Sequence, residues 1–492
     1  MTTLNTPPLA AAAAARDLGD LWASVVHLRR SLRSEARLDE GWKAGILLAR
    51  QIGDDFGAVA LARRYCRDTR NAPASLFLLA EVLTEVGRAA EAVQLLSPIA
   101  DALRPNDLFK FTRMLMFAGN IEEAHERARR LLPTHENSPT LWERLAQTKR
   151  FLPGDPDIDA MRAVFERSSL SKPEGRAAIA SALGKAFVDL GDDRAANLFL
   201  TARAEAARVR IPFNRGVFDA TLRDIVEWCN TGAPEGPSAN VAGSARPIFV
   251  LGPNRSGTTL VDQILSRHPV IDSGGERRQF WLVSSVLGDC RSAPIDAFLA
   301  RSRTHRPNVN PWEEIGRRYL DLADEGGVHG ARFTDKLLSN VYRIRAIRQS
   351  LPDAKIVYVE RSPSAVAWSC WRAQFDAESP WSNTAEGIAV YIATYRRAME
   401  AWVRRYPEAI VTVAYEDIVR DPEIEIGRLL SACDLPDHPA TRDPHLSTRA
   451  VTTLSFSEIR QPIHSRSVDA ASAFPLSTKP LRDALDAMGL EG

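Results

Sequence analysis

The residues best suited to chemistry in this sequence lie in one glycine-bounded loop. An apolar run, Pro247–Leu251, leads into Gly252–Thr259 (GPNRSGTT), and an amphipathic segment follows. A loop of this kind between a strand and a helix turns successive backbone N–H groups towards one point, with the positive end of the helix dipole behind them. The pattern therefore predicts an anion-binding site, to which Arg255 adds a fixed positive charge.

The spacing of this loop fits the nucleotide-binding P-loop G-x-x-x-x-G-K-[ST] at every position except one. Thr258 stands where that motif has lysine, which reaches the β- and γ-phosphates of a magnesium-bound triphosphate. The loop is therefore expected to hold a nucleotide through one 5′ anionic group without a metal ion. A magnesium-dependent kinase or NTPase is the alternative enzyme, and the threonine disfavours it.

A second motif follows another apolar run, Ile356–Val359, and begins at Arg361. An arginine at the carboxyl end of a strand lies at the edge of an open α/β sheet where ligands bind. Ser362 is expected to cap the next helix. Ser369 and Arg372 are three residues apart and can share a face of that helix. With Arg361 they are predicted to clamp a second phosphate.

Together the two motifs resemble those of the sulfotransferases that use 3′-phosphoadenosine 5′-phosphosulfate (PAPS). The family's loop is close to G-x-P-[KR]-S-G-T-T, from which this chain differs by a displaced proline, and its arginine and serine stand eight residues apart, as here. The resemblance covers about residues 247–469. It implies PAPS as donor, adenosine 3′,5′-bisphosphate (PAP) as product and no metal. It assigns donor binding to Arg255, Ser256, Gly257, Thr258, Thr259, Arg361, Ser369 and Arg372.

The same resemblance suggests which residues carry out the transfer. Glu276 and Arg278 match the Glu-x-Arg of protein-tyrosine sulfotransferases, which implies that Glu276 is the general base. Lys336, in the segment FTDK, resembles the lysine that stabilises the leaving oxygen, and Arg255 is assigned to catalysis with it. The plainer interpretation of Glu276 is a surface carboxylate paired with Arg277 or Arg278.

Three further positions are assigned by resemblance alone. Tyr415 follows the apolar run Ile410–Val413 and resembles a tyrosine that contacts the nucleotide. Ser455–Ile463 (SFSEIRQPI) is similar to the loop that closes over the donor. There Ser455 is expected to assist the leaving group, and Arg460 and Gln461 to lie near the 3′ phosphate. A lysine usual beyond this loop has no counterpart, because Ala470 stands in its place.

The N-terminal half shows a repeat instead of a catalytic motif. Glycines recur at a spacing of 34 and then 32 residues, at Gly19, Gly53, Gly87 and Gly119. Alanine stands five residues after the last three of them, at Ala58, Ala92 and Ala124, and a later pair is Gly191 and Ala196. The pattern resembles the tetratricopeptide repeat, a helix-turn-helix unit that stacks into a superhelix with a concave face. Such repeats ahead of a sulfotransferase domain resemble a known bacterial arrangement.

These segments predict an α plus α/β protein. A tetratricopeptide-like α-solenoid is expected over residues 1–230, and a linker rich in Gly, Pro, Ala and Ser over 231–246. Residues 247–492 are expected to form a P-loop-like α/β sulfotransferase domain with a central parallel sheet, since short apolar runs alternate there with amphipathic segments. The repeat groove is a predicted site for a peptide or protein partner.

Composition limits the remaining choices. The chain has 492 residues and a formal charge of +1, from 63 Lys and Arg against 62 Asp and Glu, so binding to nucleic acid through a broad basic face is not expected. Five scattered cysteines without a C-x-x-C pair disfavour a disulfide framework and a zinc site. No apolar run reaches the 18 residues of a membrane span, and a cytoplasmic location is expected.

The favoured hypothesis is transfer of a sulfuryl group to a hydroxyl or amine, with the tyrosine of a peptide as one option. The class of the acceptor is left open, because one donor site serves acceptors of many kinds. The alternative outside enzymology is a tetratricopeptide adaptor with an inactive nucleotide-binding domain.

Overall fold

The computed structural model describes residues 7–33, 41–169, 171–208, 212–231, 239–373, 375, 379–447, 462–464 and 468–490. The first half of the described chain is an array of twelve helices, α1 to α12. One more helix, α13, precedes the first strand. Their bounds are α1 Pro7–Asp17, α2 Leu21–Leu32, α3 Gly41–Ile52, α4 Asp55–Asp68, α5 Pro73–Glu85, α6 Ala89–Leu96, α7 Pro105–Ala118, α8 Ile121–His135, α9 Pro139–Gln147, α10 Pro156–Arg167, α11 Pro173–Leu190, α12 Asp193–Arg208 and α13 Arg215–Thr231.

The recurring glycines form the turns inside successive helix pairs. Each has a φ between +73° and +91°, a conformation that residues with a side chain rarely adopt: Gly19, Gly53, Gly87, Gly119 and Gly191. The alanine five residues after each of the last four is at most 1 % exposed, so the helices of a pair cross closely there. The helical N-terminal region is thus confirmed, and its assignment to tetratricopeptide repeats stays a prediction.

Three prolines of the helical array start helices. Pro139, Pro156 and Pro173 occupy the first turns of α9, α10 and α11, where the missing N–H costs nothing. The last helix of the N-terminal half, α13, packs against a helix of the α/β part. Residues 239–246 continue along that part, where Val241 is buried. The predicted boundaries at 230 and 246 remain predictions.

The second half is built around a five-stranded parallel sheet in the order β2-β3-β1-β4-β5. The strands are β1 Pro247–Leu251, β2 Ile271–Ser273, β3 Arg332–Asp335, β4 Lys355–Glu360 and β5 Ile410–Ala414. The helices are α14 Thr258–Ser266, α15 Gln279–Ser284, α16 Ser292–His305, α17 Pro311–Glu325, α18 Ile344–Ser350, α19 Pro363–Arg372, α20 Ala385–Arg405, α21 Tyr415–Arg420, α22 Pro422–Ala432 and α23 Pro475–Ala487. This architecture confirms the predicted fold class.

Both faces of the sheet are covered, as the uninterrupted apolar runs of β1 and β4 require. Phe249 and Leu251 of β1 join a large core cluster that also takes in the helical array, whereas Ile248 and Val250 join a second cluster on the opposite face. Side chains alternate between the faces because successive residues of a strand point in opposite directions. The central strand is therefore buried and rigid where it enters the glycine-bounded loop.

One buried carboxyl in the array makes a pH dependence predictable. Glu143 of α9 is 6 % exposed, and burial raises its pKa to about 7. Between about pH 4.5 and pH 7 the native state therefore holds a proton that the unfolded chain has lost, so the free energy of unfolding falls as the pH rises. Glu143→Gln is expected to remove the contribution of this one carboxyl to the slope and to add about 1–3 kcal/mol at pH 8.

Urea unfolding of both proteins at several pH values measures this effect. Glu166→Gln on the exposed side of α10 is the control and is expected to leave the slope as it is. An equal fall in unfolding free energy for the wild type and Glu143→Gln would show that another group carries the dependence.

Candidate active site

The glycine-bounded loop joins the end of β1 to the start of α14, and two tyrosines of α20 hold it from behind. Tyr395 Oη accepts a hydrogen bond from Gly252 N at 2.9 Å, and Tyr391 Oη accepts one from Asn254 N at 2.9 Å. Both tyrosines are buried. This support could not be predicted from the sequence, because a tyrosine on an apolar helix face has no distinctive spacing. The backbone of the loop is thus fixed in advance of any ligand.

Gly257 is required by its conformation and by a close neighbour. Its φ is +99°, and a Cβ there would lie 2.3 Å from Cδ2 of Tyr415. The ring of Tyr415 therefore packs directly beneath the turn that opens α14. At the first residues of that helix, the N–H groups of Thr258 and Thr259 have no carbonyl one turn earlier to accept from them, so they are donors available to an anion.

The loop also contains a buried hydroxyl without a partner. Ser256 is fully buried, and its Oγ makes no hydrogen bond within the part of the chain that the structure describes. Because an unsatisfied buried hydroxyl costs about 1–3 kcal/mol, its presence in this loop favours a ligand oxygen as its partner. The residues present therefore fit an anionic group such as the 5′ end of a nucleotide.

On the β4 side of the loop, two residues of the predicted clamp, Arg361 and Ser369, each contact Arg255. Nη1 of Arg361 donates to the carbonyl oxygen of Arg255 at 2.9 Å, and its guanidinium lies 4.4 Å from the centre of the Tyr415 ring. Nε of Arg255 donates to Ser369 Oγ at 2.8 Å. Arg255 itself has a φ of +69°, which turns its side chain towards α19. Two predicted donor-binding segments are thus in direct contact.

The start of α19 differs from the expectation that the Ser362 side chain caps this helix. Ser362 does occupy the N-cap and Pro363 the first turn, but the serine side chain makes no capping bond. Instead Ser362 N donates to Glu416 Oε1 at 3.0 Å, so a carboxylate from α21 fixes the start of the helix. Arg372 lies one turn beyond Ser369, with its guanidinium 5.4 Å from the Trp368 ring centre.

The end of α19 is held by a buried arginine of the helical array. Arg203 of α12 is 1 % exposed, and its guanidinium donates to the carbonyl oxygens of Trp371 and Ala373 at 2.9 and 3.0 Å. A cation at the carboxyl end of a helix satisfies its open carbonyls and complements its dipole. The array therefore helps to position the helix that carries Ser369 and Arg372.

On the β3 side, Lys336 and Glu276 form an ion pair. Lys336 Nζ lies 2.7 Å from Glu276 Oε1 and 3.3 Å from Thr259 Oγ1 at the start of α14. The lysine is 3 % exposed, whereas the Glu276 side chain is 40 % exposed. A buried cation thus lies beside the helix start, with a carboxylate that solvent or a substrate can reach. The surface-pair interpretation of Glu276 with Arg277 or Arg278 is wrong.

The residue before this lysine was not singled out from the sequence. Asp335 ends β3 and is fully enclosed, and burial raises its pKa to about 7. It accepts hydrogen bonds from Tyr319 Oη at 2.8 Å, Asn340 Nδ2 at 3.2 Å and Leu337 N at 3.2 Å. These bonds fix the backbone on both sides of Lys336. An aspartate beside a lysine is too common a pair to have signalled this role.

The order of the strands explains why these groups converge. β1 lies between β3 and β4, so the loop after β1 receives Lys336 from one neighbour and Arg361 from the other. In a parallel sheet the carboxyl ends of the strands share one edge. The usual ligand site is the crevice at that edge where the connections from neighbouring strands run to opposite sides of the sheet. Residues distant in sequence thus form one basic crevice.

Two tryptophans of α19 and the histidine after α14 are buried in the molecule. Trp368 and Trp371 are buried in the core, at 1 and 8 % exposure, and His268 is buried with Nε2 3.1 Å from the Pro436 carbonyl oxygen. Ser455, Arg460 and Gln461 lie outside the described residues. Where the structure describes the chain, no group of three His, Cys, Asp or Glu side chains could hold a metal ion. No described helix is long and apolar enough to cross a membrane.

Comparison with known proteins gives the following relatives. Residues 247–439 match the model of the Sulfotransferase family. A protein of Aquifex aeolicus (strain VF5), described as uncharacterized, is 24 % identical over 409 residues, which are 81 % of this chain and 52 % of that protein. The chain thus spans about half the length of the curated relative it matches.

Three solved structures are also similar. The sulfotransferase domain of the olefin synthase of Synechococcus PCC 7002 is 19 % identical, with a TM-score of 0.37, over 52 % of this chain and 96 % of that one. The sulfotransferase domain from the curacin biosynthetic pathway is 15 % identical, with a TM-score of 0.35, over 52 % and 99 %. A sulfotransferase of Mycobacterium tuberculosis H37Rv is 14 % identical, with a TM-score of 0.28, over 69 % and 100 %.

The family match begins at the first residue of β1 and includes the loop, β3, β4 and β5. It therefore covers every strand of the sheet and the crevice formed by Glu276, Lys336 and Arg361. Over residues 247–439, the α/β part of this chain is therefore similar to the sulfotransferase family.

Proposed function

We propose that this protein transfers a sulfuryl group from PAPS to a hydroxyl or amine of an acceptor. The observation that carries the proposal is the crevice around the loop, where a helix start and the unpartnered Ser256 Oγ lie between Lys336 and Arg361. One side of the loop offers a cation and a carboxylate, and the other side offers two arginines and a serine. The arrangement suits a nucleotide with anionic groups at both the 5′ and 3′ positions.

The residues divide the binding of the donor between the two sides. Ser256, Gly257, Thr258 and Thr259 would hold the 5′ phosphosulfate through N–H and hydroxyl donors. Arg361, Ser369 and Arg372 would hold the 3′ phosphate, with Tyr415 beneath the same turn as a nucleotide contact; Arg460 and Gln461 are proposed to add to these contacts. PAPS supplies an electrophilic sulfur whose bond to the phosphate oxygen breaks in the transfer.

The chain's own groups would manage the protons and charges of that step. The Glu276 carboxylate accepts the proton of the acceptor O–H or N–H as the new bond to sulfur forms. Lys336 and Arg255 donate hydrogen bonds to the oxygen that takes up negative charge when the old S–O bond breaks; Ser455 is proposed to assist there. Because Lys336 contacts both Glu276 and Thr259, it links the base to the anion site.

Binding of the product tests the proposal. PAP in the presence of EDTA is expected to stabilise the protein against heat, by about 2.7 kcal/mol at a concentration 100 times its Kd. AMP, which lacks the 3′ phosphate, is expected to stabilise less at equal concentration. ATP with magnesium is the control for a P-loop kinase or NTPase.

Stabilisation by ATP with magnesium but not by PAP would reject the proposal and favour that alternative. Binding of PAP without release of PAP from PAPS, in the presence of a broad set of hydroxyl and amine acceptors, would favour an adaptor with an inactive nucleotide site. The peptide tyrosine is one acceptor to include in that set.

A further inference from the structure

The segment that carries Glu276 is bound to the helical array as well as to the sheet. Arg278 Nη2 lies 3.2 Å from Asp55 Oδ1 at the start of α4. The Arg277 guanidinium lies 5.8 Å from the centre of the Phe56 ring. A Cβ on Gly53 would come within 3.2 Å of the Trp281 ring, so the turn between α3 and α4 closes against α15. The array therefore fixes the segment that follows the proposed base.

A cavity of about 630 Å³ lies between these two parts of the molecule. One wall belongs to the α/β part and contains Thr259, Glu276 and Lys336. The opposite wall belongs to α5, α6 and α7 and the turns between them, and includes Thr84, Val86, Gly87, Arg88, Ala90, Arg113 and Phe117. Cavities of roughly 300–1,000 Å³ hold small molecules or a few side chains of a larger one. The exposed carboxylate of Glu276 thus opens into a space that the array completes.

The acidic groups of the array wall already have basic partners. Glu85 pairs with Arg50, and Glu91 pairs with Arg63 at 2.6 Å and with Arg88. Asp55 pairs with Arg278, as described above. The negative charges of this wall are therefore compensated without a ligand.

Arg113 is different from these paired residues. It is exposed on α7, and no carboxylate lies within 4.0 Å of it among the described residues. Its guanidinium is 5.8 Å from the centre of the Phe117 ring, one turn later on the same helix. A positive charge held beside an aromatic face, on the wall opposite Glu276, is suited to a carboxylate or another anionic group of an incoming molecule.

We propose that the acceptor binds in this cavity between the array and the α/β part, and that it carries an anionic group that pairs with Arg113. The inference rests on the proposed function, because it places the acceptor against the proposed base. The array is then the wall that selects the acceptor, while the sheet and its loop bind the donor.

The position of the acceptor is tested by filling the cavity from the array side. Ala90 is exposed and lines the cavity, so Ala90→Trp is expected to reduce transfer from ³⁵S-labelled PAPS into a cell extract at least tenfold. PAP is expected to stabilise this variant as much as it stabilises the wild type. Ala74→Trp, at an exposed position of α5 outside the cavity, is the control and is expected to keep full transfer.

The charge of the acceptor is tested with two pairs of compounds, each a hydroxy carboxylate and its amide. The aromatic pair is 3-(4-hydroxyphenyl)propanoate and its amide, and the aliphatic pair is 4-hydroxybutanoate and its amide. The wild type is expected to use a carboxylate at least tenfold better than its amide, judged by kcat/KM from PAP release, because a hydrogen bond to a charged group is the stronger one. Arg113→Gln is expected to remove the preference. Arg130→Gln, an exposed arginine of α8 outside the cavity, is expected to keep it.

The outcomes separate this inference from the proposed function. Wild-type protein that neither binds PAP nor transfers the label would reject both. Wild-type transfer that Ala90→Trp leaves unchanged would overturn the placement alone. The anionic acceptor would be overturned if the wild type used carboxylates and amides equally well. It would also be overturned if a wild type that labels the extract used no carboxylate, or if Arg113→Gln kept the preference for the carboxylate.

Discussion

Glu276→Gln is expected to lower the rate of sulfuryl transfer by about 10²–10⁴-fold, the usual contribution of a general base, and to leave PAP binding nearly unchanged. Glutamine keeps the size of the side chain and an oxygen that Lys336 can still donate to, but it cannot accept the proton of the acceptor. Transfer is measured by PAP release from PAPS, and PAP binding is measured by thermal stabilisation.

The chain offers a closely matched control for this variant. Glu325 is 44 % exposed and pairs with Arg29 at 2.6 Å, much as Glu276 is 40 % exposed and pairs with Lys336 at 2.7 Å. Glu325→Gln changes the same charge in a similar setting away from the loop and is expected to keep full transfer. Turnover by Glu276→Gln equal to that of Glu325→Gln would remove Glu276 from its proposed role.

The sequence could predict those features of the fold and the site that depend on residues close together in the chain. The glycines at 34-residue spacing marked turns because a positive φ favours a residue without a side chain. The run before Gly252 marked a buried strand, and the loop GPNRSGTT marked a strand-to-helix anion site. The sequence placed Arg255 and Ser369 at the same sheet edge, whereas their direct hydrogen bond is seen only in the structure.

The remaining features depend on contacts between distant segments, for which the sequence carries no local signal. Tyr391 and Tyr395 support the loop from a helix more than 130 residues away, and Arg203 reaches the end of α19 from the array. The cavity beside Glu276 exists only because α5–α7 approach the crevice. The sequence indicated that the array had a concave face but could not show which part of the α/β domain it would meet.

Lys336→Met is expected to lower kcat by about 10²–10³-fold, the usual effect of removing one donor from a developing negative charge. Lys336 is 3 % exposed, so water cannot easily replace its ammonium group, and methionine fills a similar volume without the charge. Because the charge on the leaving oxygen is larger in the transition state than in the bound donor, kcat should fall more than KM changes.

A second, partly buried lysine tests whether this loss is specific. Lys355 begins β4, at the opposite edge of the sheet from the crevice, and pairs with Asp434 at 3.0 Å with 21 % of its side chain exposed. Lys355→Met removes a comparable ion pair and is expected to keep kcat. The double variant Glu276→Gln/Lys336→Met should lose less than the product of the single losses, because both groups act at one step. A normal kcat with weakened PAP binding in Lys336→Met would instead make Lys336 a donor-binding residue, with the leaving oxygen stabilised by Arg255 and the loop alone.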